Sequence, residues 1–100
     1  MATYDADGKL TGLIVNLACT AQTPGNTLPY LISADHWHET RRELRRRFGE
    51  HVFILPQCSP AGEQTAYEQF DKMAEARMRR LKGWTKREEI AHTIAGTVED

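Results

Sequence analysis

VFILPQCSPAGEQT, residues 52–65, begins as an apolar run and breaks abruptly into small and polar residues around a glycine. With the preceding histidine the run is "HVFILPQ", apolar on both parities. That is the pattern of a strand covered on both faces of a parallel sheet. Pro56 ends it, because proline cannot donate to a ladder. A matching run, "GLIVNLA" at residues 12–18, follows the turn-like "DADGK" and has Asn16 as its one polar intruder.

The segment between the two runs reads as a helix, "ISADHWHETRRELRRRFGE", with Ser33 as N-cap and Gly49 as stop. Ala34, Trp37, Arg41, Leu44 and Phe48 fall on one stripe, which leaves an Arg-rich outer face. From Thr65 onward "TAYEQFDKMAEARMRRLKG" carries Ala66, Phe70, Met73, Ala74, Arg77, Met78 and Leu81 at helical spacing. A last helix starts on a capping box from Thr85 to Glu88 and should bury Ile90, Ala91, Ile94 and Val98. The fold class expected is therefore α/β: a small parallel-strand β-α-β unit with a right-handed crossover, followed by two C-terminal helices. Two strands do not make a stable sheet. Residues 2–5 offer a third, but the expectation favours one from a missing part of a larger α/β domain or from a second copy, so residues 1–100 read as a single domain fragment.

One hundred residues with 40% hydrophobic and 27% charged content suit one small folded domain, too small to hold a large cleft alone. The net charge of -1 hides an uneven layout, since Lys9 alone among the 13 basic residues precedes Arg41. Arg41, Arg42, Arg45, Arg46 and Arg47 alternate with Glu39, Glu43 and Glu50, which reads as a solvated helix face rather than a nucleic-acid surface. No apolar run approaches the roughly 20 residues of a membrane span, and "MATYDADGKL" lacks the order of a signal peptide. As written the chain reads as cytoplasmic, with its compartment left open.

In a parallel sheet, sites gather beyond the carboxyl ends of the strands. Both unusual loops, "ACTAQTPGN" and "PQCSPAGEQT", leave their strands at that edge. Cys19 and Cys58 lie there without C-x-x-C spacing, so neither a disulfide framework nor a zinc finger is expected. In "DHWHE", residues two apart on a helix point about 200° away from each other, so His36 and His38 do not share an ion. "SPAGEQT" is expected to run into a helix whose free N–H groups hold an anion or oxyanion, with Ser59 or Thr65 as the hydroxyl. Thr65 or Glu63 as an ordinary helix cap is the alternative, and no G-x-S-x-G elbow is present.

Taken together, "IVNLACTAQ", "LISADHWHETRRELRRRFG" and "VFILPQCSPAGEQT" resemble in order and spacing the neutral/alkaline ceramidase family, in its bacterial ceramidase-like branch. The resemblance covers about residues 11–70. It implies a zinc-dependent amidase that cleaves an N-acyl bond, with a serine in the last turn. Gly62, Glu63 and Thr65 fall on that turn's glycine, its acidic or amide residue and its serine, and Ala66 falls on its proline. Ile32, Ser33 and Asp35 keep the "I-S-x-D" helix start, while Thr20 stands where the family has a zinc-ligand histidine. The resemblance thus implies zinc for the family and no metal ligand or cofactor within this chain.

The expected function is a ceramidase-like hydrolase fragment acting on an N-acyl amide or ester with reduced or lost zinc-dependent activity. Thr65 and Ser59 are the candidate catalytic residues. Asn16, Cys19, Thr20, Asp35, Cys58, Gly62 and Glu63 are the candidate substrate-binding residues. The expected partners are an N-acyl lipid or other small molecule and the remainder of a parent chain or a homodimer partner, with no nucleic acid. The alternative is a non-catalytic module that docks with such a chain or copy.

Overall fold

The computed structural model describes residues 1–23, 32–62, 64–66 and 70–100. Three strands, β1 (Ala2–Tyr4), β2 (Leu10–Leu17) and β3 (Phe53–Cys58), and three helices, α1 (His36–Phe48), α2 (Lys72–Lys82) and α3 (Lys86–Glu99), follow in the order β1-β2-α1-β3-α2-α3. The sheet order is β1-β2-β3. β2 and β3 are parallel, with Leu13 opposite Ile54 and Leu17 opposite Cys58. The expected β-α-β unit is present within a small α/β fold.

The third strand comes from this chain's own start. β1 pairs antiparallel to β2 through a turn in which the Asp5 carboxylate accepts from the N–H groups of Asp7 (3.0 Å) and Lys9 (2.8 Å). Gly8 supplies the positive φ of 78° that this turn requires. β2 is therefore central and β3 is an edge, which corrects the expectation of a third strand from elsewhere. It also explains why Pro56 continues the strand instead of ending it. On an edge strand half of the backbone N–H groups face away from the sheet, so a proline is tolerated there.

Side chains alternate across the sheet, and the two faces differ. Leu13, Val15 and Ile54 point to the face covered by α1 and α3 and form the core with Trp37, Leu44, Val52, Ile94 and Ala95. The opposite face carries Phe53, 63% exposed, and Leu55, 38% exposed. β3 is thus covered on one face only, a second correction.

The helices begin later than their spacing suggested. Asp35 caps α1 by accepting from the His36 N–H at 2.6 Å, and Ser33 in turn accepts from the Asp35 N–H at 3.0 Å. Ser33 supports the cap rather than forming it. The next helix, α2, starts after Asp71, not at Thr65, and buries none of its residues. Its apolar stripe faces solvent, with Phe70, Met73 and Leu81 all exposed. The radius of gyration of 14.9 Å exceeds the roughly 13 Å of a compact 100-residue domain.

By contrast α3 has the full capping box expected at Thr85 and Glu88. It buries Ala91, Ile94 and Ala95, with Ile90 and Val98 half-buried. α1 and α3 are fastened by ions as well as by core. Within α1, Glu43 accepts from Arg46 (2.7 Å) and Arg47 (2.9 Å); across to α3, Glu43 lies 3.2 Å from His92 and Arg47 reaches Glu99 at 2.7 Å. Part of the arginine face is thus a fastening between helices rather than a wholly solvated surface. Among the described residues no helix is long and apolar enough to cross a membrane.

Candidate functional site

The carboxyl ends of β2 and β3 bring two pairs of sequence-predicted residues together, one on each face. On the uncovered face Ser59 Oγ donates to Asn16 Oδ1 at 2.8 Å, and the Ser59 N–H donates to the Leu17 carbonyl at 3.1 Å. On the covered side the Cys58 thiol donates to the Cys19 carbonyl at 3.5 Å, and the Cys19 thiol to the Thr20 carbonyl at 3.6 Å. Register alone produces this split. Cys58 faces the same side as its partner Leu17, so the next residue, Ser59, faces the side of Asn16.

Behind the cysteines lies Asp35, buried at the start of α1. Its carboxylate accepts from the Thr23 hydroxyl, from the Thr23 N–H (3.0 Å) and from the His36 N–H (2.6 Å), with the Arg87 guanidinium 4.0 Å away. Burial pushes this carboxyl up, but the hydrogen bonds and the Arg87 charge outweigh it and hold Asp35 below its usual range. These contacts also hold Asp35 at φ 52° and ψ -143°, a conformation L residues rarely adopt. Asp35 is therefore committed to the fold.

His36 beside it is 0% exposed, and neither of its ring nitrogens completes a hydrogen bond. Burial pushes its pKa down, against Asp35, the Thr20 backbone and Glu39, which all favour the charged ring. The Thr20 backbone is close enough to favour that charge without reaching hydrogen-bond geometry, so the ring is best described as neutral and nearly orphaned. His38 is exposed, so the two histidines of "DHWHE" occupy separate environments.

The Cys19 thiol is pushed up by burial first, then by the neighbouring Cys58 and Asp35. Thr20, in the place of the resembled family's zinc ligand, donates its hydroxyl to Gln22 Oε1 at 3.3 Å. A hydroxyl so engaged is a poor substitute for an imidazole on zinc. Among the described residues no three His, Cys, Asp or Glu side chains are grouped to hold a metal ion. The described residues at this edge do not make up a zinc ligand set.

No protein-family model, curated protein or solved structure matches this chain. The expected oxyanion hole after Gly62 is not at a helix start, because α2 opens at Lys72 and the Gln64 N–H is used by the Ala61 carbonyl at 3.1 Å. Thr65 and Gly62 are exposed, and Glu63 lies outside the described residues, as do residues 24–31. Sequence reasoning missed Thr23 and Arg87 as the partners of Asp35. Nothing local marks them, since one lies in a loop and the other on the far helix.

Proposed function

We propose that the carboxyl edge of β2 and β3 forms one wall of a hydrolase site for an N-acyl amide or ester, with Asn16 and Ser59 as its polar contact. The observation that carries this reading is their 2.8 Å hydrogen bond at the end of an uncovered face that also exposes Phe53 and Leu55. An acyl chain would lie along that apolar strip, with its carbonyl accepting from the Asn16 amide N–H groups, which the Ser59 hydroxyl orients through Asn16 Oδ1. Asn16 cannot accept the Ser59 proton as a base would, so the pair by itself binds and polarises rather than attacks. Thr65 remains the second candidate hydroxyl. The ceramidase-like sequence pattern supports the substrate class, and Thr20 supports weakened or lost zinc dependence.

Hydrolysis of a panel of N-acyl amides and esters, with and without a chelator, tests the reading. Turnover that falls at least tenfold in Ser59→Ala or Asn16→Ala supports it. Turnover indifferent to these changes, to Thr65→Ala and to chelation, or no turnover at all, removes the enzyme reading.

A second reading, a non-catalytic module that docks with a second copy, is favoured by the same exposed face next to the open edge of β3. Sedimentation across a range of concentrations separates the two. Association abolished by Leu55→Lys supports docking, and a monomer at every concentration counts against it.

A further inference from the structure

We propose that Cys19 and Cys58 form a reversible disulfide that ties the end of β2 to the end of β3. Both are free thiols, both lie on the covered side of the strand ends, and the Cys58 sulfur is 3.5 Å from the Cys19 carbonyl oxygen. Leu17, two residues before Cys19, is the direct partner of Cys58 in the parallel ladder, so Cys19 lies diagonal to Cys58 just past the last pair, and the bond requires the chain after Leu17 to draw in towards β3. The electrostatic influence of Cys58 on the Cys19 thiol reflects the same closeness. Neither sulfur is bound to a sulfur partner, and each spends its weak donor on a carbonyl. This inference stands apart from the hydrolytic reading, because it needs neither substrate nor catalytic hydroxyl.

The exposures of the two thiols set the order of steps. Cys58 is exposed and Cys19 half-buried, so an external low-molecular-weight disulfide of the glutathione class meets Cys58 first. The Cys58 thiolate attacks one sulfur of that disulfide, forming a mixed disulfide and releasing one thiol. Cys19, after losing its proton to solvent, attacks the Cys58 sulfur, forming the internal bond and releasing the second thiol. Two cysteines are oxidised, one external disulfide is reduced to two thiols, and protons and electrons balance. The bond closes a separation of 39 residues that contains all of α1, so it fixes the crossover against the sheet.

Equilibration of the full chain with reduced and oxidised glutathione at set ratios provides the test. Intact mass, N-ethylmaleimide labelling and peptide mapping read the product. The expected result is a monomer two hydrogens lighter, with both thiols protected, a Cys19–Cys58 linked peptide, a raised thermal midpoint, and full reversal by dithiothreitol. Cys19→Ser should instead stop at a glutathione adduct on Cys58. Adducts on both thiols of the unmutated chain, disulfide-linked dimers as the main product, or two thiols that stay open to labelling under oxidising ratios would each overturn the proposal.

Discussion

Ile54 and Leu55 are adjacent on β3, similar in size and apolarity, and sit in opposite surroundings. Ile54 is 3% exposed beneath α1 and α3, while Leu55 is 38% exposed on the other face. The same contrast separates the two C-terminal helices. α3 is capped, buried along one stripe and fastened to α1 by ions, whereas α2 has no buried residue and its Met73 and Leu81 are exposed. Hydrophobic pattern tells which residues need cover, and only tertiary packing tells which receive it.

The largest effect should come from the covered face. Ile54→Ala is expected to lower the free energy of unfolding by about 3 kcal/mol in urea titrations, as truncations in packed cores do. Leu55→Ala should cost roughly 0.5 kcal/mol. Equal costs would mean that the outer face is covered in solution, and the comparison would fail.

The ionic fastening ranks next. Arg46 holds the Glu43 carboxyl at about 2, against burial and with help from Arg47 and His92. A depressed carboxylate stabilises the fold fully above its ordinary value of 4.5, and that contribution is lost as the pH falls towards about 2. His36 acts with the same sign at higher pH, because a buried neutral imidazole loses its advantage as the pH falls below 6.5. Glu43→Gln should cost about 2 kcal/mol at neutral pH, below the roughly 3–5 kcal/mol of a fully buried pair. It should also flatten the lower acid limb of unfolding free energy against pH and leave the upper one. Retention of both limbs would remove Glu43 as the fastening.

The smallest effect belongs to α2. Met73→Lys should leave unfolding unchanged within about 0.5 kcal/mol, as at other exposed positions. A loss of 2 kcal/mol or more in dilute solution would show that α2 packs on something the comparison treats as solvent.

What was legible in the sequence was mostly local. The β2 and β3 runs, the α1 stripe through Trp37 and Leu44, and the Thr85 capping box each depend on residues within a turn or two of one another. The start of α1 was misread by two positions, because Ser33 and Asp35 are both good caps. Asp35 prevails by also collecting Thr23 from a distant loop. The candidate site was legible as an edge but not as a geometry. Parallel topology puts the loops after both strands at one edge, whereas strand register decides that Asn16 meets Ser59 and Cys19 meets Cys58 as two pairs on opposite faces. The burial of His36 could not be foreseen, since a polar residue at a helix start gives no sign of being enclosed.

The Asp5 turn has a consequence for the order of assembly. β1 and β2 are neighbours in sequence, joined by a turn that one carboxylate organises, so their pairing closes a very short loop. β3 joins only after the whole of α1 has been brought round, a closure of much greater entropy. The hairpin is therefore expected to be structured in the folding transition state, with β3 docking late. In stopped-flow measurements, Gly8→Ala should slow refolding, while truncation of Ile54 should mainly speed unfolding.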